Sequence, residues 1–257
     1  MTSSPEPATS RTEIVCVNVG PQFPDYYVQR LFHMLERNFH EPFRLTCFTD
    51  RLRDLCGEIR QIDVRERALE GPFNKLLLYD QEVMPYDAAL FMDVTLMIVG
   101  DVTHLASYAQ RVNADLVAVP DWRRPVMNSS VQWITKNETL CEVWKAYDQG
   151  KHPEFCTKGD QYFTYSALCK MGLKDRIGYF PEGEIQSFKV LREAHRRSIG
   201  QFEDLWEVAR IVKFHGTPRP HEVLDPWTRF YKVTLRYPQY AAHDWKFLLR
   251  EIREHWR

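Results

Sequence analysis

The sequence predicts an α/β protein, a mostly parallel sheet covered by helices, and three observations carry that expectation. Short apolar runs alternate with amphipathic stretches in the order β-α-β-β-α-β and onward. Several of those runs end on polar residues (Asn18, Asp50, Asp93, His215), as the ligand-binding edge of such a sheet requires. The chain has 257 residues, 44% of them hydrophobic, which suffices for one sizeable core, and no repeat, low-complexity tract or linker divides it.

Taken in order, Ile14 to Val19 reads as a buried strand ended by Gly20 and Pro21. Asp25 is placed to cap a helix in which Val28, Leu31, Phe32 and Leu35 recur at i, i+3, i+4 and i+7. Phe43 to Phe48 is a second strand, closed by Thr49 and Asp50, and Ile59 to Val64 a weaker third. Asn74 to Val83 reads as a helix with Leu76, Leu77 and Tyr79 on its apolar side. Ala88 to Met92 is a compact apolar run ending at Asp93, followed by a short strand over Leu96 to Val99. Asp101 then caps a helix reaching about Val112. Leu116 to Val119 is the next strand, and Val126 to Ile134 is extended. Helices follow near Glu138 to Tyr147 and Asp160 to Met171, then short strands at Ile177 to Phe180 and Ile211 to Phe214. From about Asp225 the tail is rich in aromatic and charged residues and closes in a helix, Asp244 to Trp256.

Charge excludes some functions. The 34 Lys and Arg nearly balance 35 Asp and Glu, a formal charge of -1, without the basic stripe of a nucleic-acid binder. None of the six cysteines forms a C-x-x-C pair, and Cys16 and Cys47 sit inside strands where a thiol acts as a small hydrophobe. A reduced, cytoplasmic protein is expected. No apolar run reaches the roughly 18 residues of a membrane span. The opening MTSSPEPATSRT, polar and without an apolar signal core, reads as a disordered leader over residues 1–12, ahead of a single domain over 13–257.

Several segments bear chemistry, each with a plainer alternative. Asp93, directly after a buried strand, either caps the next turn or holds a hard divalent cation. His215, in KFHGTPRP, is a loop residue, a metal ligand or a diphosphate partner. Asp160 either caps its helix or bonds sugar hydroxyls, and Asn128-Ser129-Ser130 is an ordinary turn or a hydroxyl-recognition segment. Lys75 begins a helix, where the helix dipole disfavours a cation, so it is either solvated or opposed by an anion. Phe23, Tyr26 and Tyr27 offer a stacking face for a base, or belong to the core.

Seven segments in order resemble the GT-A glycosyltransferases: VCVNVGPQFPDYYVQRLFHMLERN, CFTD, GPFNKLLLYD, AALFMDVTLMIVGDVTHL, NSSVQWI, KGDQYFTYSAL and FHGTPRPHEV. They resemble in particular family 8, the glycogenin-like and bacterial lipopolysaccharide galactosyltransferase group of the nucleotide-diphospho-sugar transferase superfamily. A set of bacterial relatives in that superfamily looks closer still. The resemblance runs from Ile14 to Val223. It implies a Rossmann-like GT-A fold and a hexosyltransferase-like activity, transferring sugar from a nucleotide diphosphate donor, first of all a UDP-sugar, with retention. The acceptor would be a glycan, a lipid-linked molecule or a small molecule.

By the same resemblance, Val17, Asn18 and Val19 line the base pocket with Tyr26 or Tyr27 nearby. Lys75 lies by the phosphates or sugar. Asp93, Val94 and Thr95 occupy the D-x-D stretch, and Asn128, Ser129, Asp160 and Gln161 surround the sugar. His215, in a loop similar to H-F-x-G-x-x-K-P-W, is the third ligand to Mn²⁺ or Mg²⁺. Gly216, Arg219 and Lys189 lie by the diphosphate, and Asp160 with Lys75 takes the catalytic part. Thr95 departs from the family's aspartate, and a hydroxyl is a poorer ligand. Asp93, His215 and the diphosphate could still hold a metal; alternatively, Lys75, Lys189 or Arg219 could neutralise the leaving diphosphate without one. Phe73-Asn74 is a second departure, since relatives carry aromatics there. The tail aromatics Trp227, Tyr231, Tyr240, Trp245 and Trp256 either dock an acceptor or membrane surface, or pack.

Two other classes compete. A catalytically degenerate nucleotide-sugar-binding protein would bind donor without transfer. A sugar nucleotidyltransferase would need a glycine-rich phosphate loop near the first strand, and Val17-Asn18-Val19-Gly20 supplies one glycine.

Overall fold

The computed structural model describes residues 11–229 and 246–257. Its main sheet has seven strands in the order β3-β2-β1-β4-β7-β6-β8. These are β1 (Thr12–Asn18), β2 (Phe43–Thr49), β3 (Arg60–Asp63), β4 (Ala88–Met92), β6 (Leu116–Pro120), β7 (Met127–Thr135) and β8 (Ile177–Tyr179). Every neighbouring pair is parallel except the two that β7 makes with β4 and β6. The strands that flank β7 therefore run the same way, and their carboxyl ends share one edge. Helices cover both faces, which is why β1, β2 and β4 read as near-continuous apolar runs.

Side chains of β1 alternate between two cores. Ile14 and Cys16 face a cluster built with Val28, Leu31 and Leu35 of α1 (Tyr26–Asn38) and Leu105 of α2 (His104–Arg111). Val15 faces the opposite cluster, with Leu140 and Val143 of α3 (Glu138–Asp148) and Phe163 and Leu168 of α4 (Asp160–Lys170). All six cysteines carry free thiols, and Cys16 lies beside Cys47 across the β1–β2 pair.

A second sheet sits after the main one, in the order β5-β10-β9. Strand β5 (Leu96–Ile98) pairs antiparallel with β10 (Ile211–Lys213), which pairs parallel with β9 (Ile185–Ser187). Helices α5 (Phe188–Arg197), α6 (Ile199–Val208), α7 (Pro220–Leu224), α8 (Pro226–Arg229) and α9 (Lys246–His255) complete the described chain.

Several expectations change. The segment expected as a helix over Asn74 to Val83 is a 3-10 segment over Gly71–Tyr79. Its conformation is fixed by Asn74, whose amide donates to the Leu69 and Gly71 carbonyls and accepts from the Leu69 N–H. Asp25 precedes α1 without capping it, because its carboxylate is taken by Arg53 at 2.7 Å and the Asp54 N–H at 3.1 Å. Residues 1–10 of the expected leader lie outside the described residues, but Thr12 already pairs with Phe43 in β1. The run β9-α5-α6 has no counterpart among the expected elements. In the tail, Trp256 is buried against Tyr26 and Tyr27, with the Arg30 guanidinium 3.9 Å from its ring centroid. Trp227 is 73% exposed, and Tyr231, Tyr240 and Trp245 lie outside the described residues.

Candidate active site

The edge where β1 and β4 end opens into a cavity of about 430 Å³. Val17, Val19, Gln22 and Phe23 line it from β1 and the loop that follows. Lys75 comes from the 3-10 segment with its neighbours Gly71, Pro72 and Asn74, and Asp93, Thr95, Lys213, His215, Gly216 and Arg219 also line it. The turn Asp93-Val94-Thr95 crosses from β4 in the main sheet to β5 in the second. It is closed by the Leu96 N–H to the Asp93 carbonyl at 3.1 Å and tied to β7 by the Asp93 N–H to the Ser130 carbonyl at 2.9 Å. Pairing Lys213 with Leu96 then sets the end of β10 beside Thr95.

Four charged groups meet there. The Lys213 ammonium donates to the Thr95 hydroxyl at 2.5 Å and lies 2.7 Å from Asp93 Oδ2. The Thr95 hydroxyl donates to Asp93 Oδ1 at 2.9 Å, and the Thr95 N–H reaches the same oxygen at 3.1 Å. Lys75 Nζ lies 3.2 Å from Asp93 Oδ2 and 3.6 Å from Asp160 Oδ2, and donates to Ser129 Oγ at 3.3 Å. Ser129 donates in turn to Asp160 Oδ2 at 2.5 Å. Alongside, the Asn128 amide donates to Gln161 Oε1 at 3.1 Å and to Asp121 Oδ2 at 3.3 Å.

The network sets the charge states. Burial pushes the Asp93 carboxyl up, but Lys213 and Lys75 outweigh it and hold the group well below the usual carboxylate range. Burial pulls Lys75 down, and Asp160 and Asp93 more than offset it, leaving its pKa raised. Lys213 ends below the ordinary lysine value, because burial and the nearby Lys75 outweigh the support of Asp93. His215 falls to about 4, by burial first and then by Lys213 and Lys189, so its imidazole is neutral near pH 7. Its ring stands edge-on to Trp122, centroids 4.7 Å apart.

Solved structures share this architecture. The glycosyltransferase GlyE of Streptococcus pneumoniae aligns with a TM-score of 0.57 and 14% identity, over 95% of this chain and 64% of its own. The galactosyltransferase LgtC, solved with donor and acceptor sugar analogues, aligns at 0.57 and 13% identity, over 92% of this chain and 99% of its own. Mouse xyloside xylosyltransferase 1 aligns at 0.53 and 12% identity, over 81% and 98%. The chain has the GT-A fold. No protein-family model and no curated protein sequence matches it.

Within the GT-A frame the register of the last loop needs correcting. The pattern H-F-x-G-x-x-K-P-W places its histidine three residues before the glycine, and counting back from Gly216 gives Lys213. His215, expected as the third metal ligand, stands beyond the end of β10 against Trp122, while Lys213 meets Asp93 and Thr95.

These residues do not fit a divalent cation. Such an ion needs several oxygen or imidazole ligands. Asp93 is the one anionic group among Asp93, Thr95, His215 and Lys213, and the His215 ring packs edge-on to Trp122. Asp93 Oδ2 already meets two ammonium groups, and Asp93 Oδ1 accepts from Thr95. An ammonium has no lone pair to offer, and the charges of Asp93, Asp160, Lys75 and Lys213 sum to zero. Among the described residues, the group of three acid or imidazole side chains close enough to share an ion is Glu251, Glu254 and His255 on α9, and none of these lines the cavity.

Other expected residues divide. Val17 and Val19 line the cavity, but the intervening Asn18 turns away by strand alternation and donates to the Phe23 carbonyl at 3.2 Å. Tyr27 is fully buried and bonded to His221, and Tyr26 stacks on it, so Phe23 alone of the three aromatics faces the cavity. Val94 belongs to the core. Lys189, at the start of α5, lies among Arg123 and Arg192 and does not line the cavity. Gly216 and Arg219 do, with the Arg219 guanidinium 4.7 Å over the Phe23 ring. Sequence reasoning missed Lys213, Asp121 and Trp122. The spacing to Gly216 was a signal for Lys213, whereas Asp121 and Trp122 follow β6 with no local mark.

Proposed function

We propose that the chain is a glycosyltransferase that moves a sugar from a nucleoside diphosphate donor, a UDP-sugar in the first place, to an acceptor hydroxyl. The supporting observation is the cation-rich knot of Lys75 and Lys213 around Asp93, at the carboxyl edge of a GT-A sheet and beside an apolar wall. The wall of Val17, Val19 and Phe23 suits a base, and Arg219, stacked on Phe23, suits a phosphate. Behind Lys75 and outside the cavity lining, Ser129, Asp160, Asn128 and Gln161 form a largely buried hydrogen-bonded set that holds its ammonium.

In the transfer, the bond between the anomeric carbon and the diphosphate oxygen breaks, and its electron pair leaves with the diphosphate. The acceptor oxygen bonds to that carbon, and its proton passes to the departing phosphate oxygen, an arrangement consistent with retention. Charge grows on the leaving group, so Lys75 and Lys213 lower the barrier by being in place beforehand. Asp160 keeps Lys75 in position.

A panel of nucleotide sugars, with glycan, lipid-linked and small-molecule acceptors and with water as a slow acceptor, tests the reading. Release of nucleoside diphosphate from one donor supports it. Donor binding with no release across the panel would instead establish a binding protein. Pyrophosphate release from a sugar phosphate plus a nucleoside triphosphate would establish a nucleotidyltransferase.

A further inference from the structure

We infer that the ammonium group of Lys213 stands in the place of the divalent cation of this site, so that the chain binds the diphosphate of its donor without a metal ion. The inference rests on the glycosyl-transfer reading and deepens it by naming what opposes the diphosphate.

Three observations carry it. The first is position. Antiparallel pairing of β10 with β5 fixes Lys213 opposite Leu96, and its Nζ touches both side chains of the D-x-D turn, Asp93 at 2.7 Å and Thr95 at 2.5 Å. The second is charge. Against the pattern of two aspartates and a histidine, Thr95 removes one negative charge and Lys213 adds one positive charge. The sum, +2, equals the charge of the ion that the pattern would hold. The two departures thus compensate each other: a neutral hydroxyl accepts from the ammonium where a second carboxylate would have left net negative charge. The third is hydrogen-bonding capacity. An ammonium carries three donors, Thr95 and Asp93 take two, and Lys213 lines the cavity, which leaves one for a phosphate oxygen. Lys75 and Arg219 line the same cavity and share the anion's charge.

Two measurements on the full chain test this. Calorimetric titration with UDP, and with GDP, CDP and ADP, is carried out in excess EDTA and in excess Mn²⁺. Equal affinity in both is expected. Lys213→Met, which keeps the length and removes the charge, is expected to weaken binding about 10–100-fold, the scale of one charge-assisted contact. In parallel, the electron paramagnetic resonance signal of free Mn²⁺ is followed as protein is added without nucleotide. Wild type is expected to leave it unchanged, and the double variant Thr95→Asp/Lys213→His to quench it. Nucleotide binding that appears only with Mn²⁺, or quenching by the wild type, would overturn the inference and leave the glycosyltransferase reading standing. Absence of nucleotide binding under every condition would overturn the donor reading, while the Mn²⁺ spectra would still decide between ammonium and metal.

Discussion

At the residue scale the consequences centre on Asp93. It balances two buried ammonium groups, so removing it leaves Lys75 and Lys213 facing each other with Asp160 alone to oppose them. Asp93→Ala is expected to cost roughly 3–5 kcal/mol of stability, the scale of a broken buried ion pair, as well as donor binding. Asp93→Ala/Lys213→Met should recover much of that loss of stability without restoring binding, and urea denaturation of the variants measures both effects on stability. If Asp93→Ala were as stable as wild type, the ion-pair knot would not be holding the turn between β4 and β5. His215 gives a pH signature. Its folded pKa of about 4 lies below the ordinary value near 6.5. Between those values the unfolded chain binds the extra proton, so stability declines as pH falls through that window, by at most about 3 kcal/mol. His215→Gln should flatten that decline, as read from urea midpoints at neutral pH and near the lower end of the window. The imidazole was legible in the sequence as a candidate ligand, but its role was not, because nothing local says that β10 stops at Lys213.

At the element scale the tail helix and the 3-10 segment do the positioning. Trp256, just past α9, packs edge-on against both Tyr26 and Tyr27 of α1, with the Arg30 guanidinium over its ring. It is 1% exposed. Trp256→Ala should therefore cost about 3–5 kcal/mol, the range for truncating a buried aromatic, with nucleotide affinity unchanged because neither tyrosine lines the cavity. An intact urea midpoint would show that α9 adds nothing to the core. The longer elements up to β7 were legible because β1, β2 and β4 are near-continuous apolar runs and α1 keeps a period of 3.6. The β9-α5-α6 run was not. Two of the three residues of strand β9, Gln186 and Ser187, are polar, and α5 buries only Phe188, Leu191 and Ala194 among many basic residues, so its apolar stripe is thin. The 3-10 segment misled for a different reason. Its Leu-Leu-Leu-Tyr run has helical composition, but Asn74 bonds the preceding loop and tightens the turn.

At the scale of the whole molecule, a ligand that bridges the main sheet and the second sheet should stabilise the fold globally. UDP at a hundredfold excess over its dissociation constant is expected to add about 2.7 kcal/mol. For a chain of this size that is a rise of about 5–10 °C in Tm, the same in EDTA as in Mn²⁺, and a thermal shift assay reads it directly. A rise confined to Mn²⁺ would contradict the metal-free site. The sequence by itself determined the α/β class, the strands that carry Val17 and Ser129 and the one that leads to Asp93, and the likeness to GT-A glycosyltransferases, because those depend on periodicity and on segments that are contiguous in the chain. Only the tertiary structure decided what faces Asp93. The spacing to Gly216 marks Lys213 in the sequence, but Lys213 stands more than a hundred residues away in the chain, and its contact with Asp93 is made through the register of a three-residue antiparallel pairing. The exclusion of Tyr26 and Tyr27 from the cavity has the same cause. An aromatic side chain can fill a core or face a ligand equally well, and the partner that buries these two, Trp256, comes from the far end of the chain.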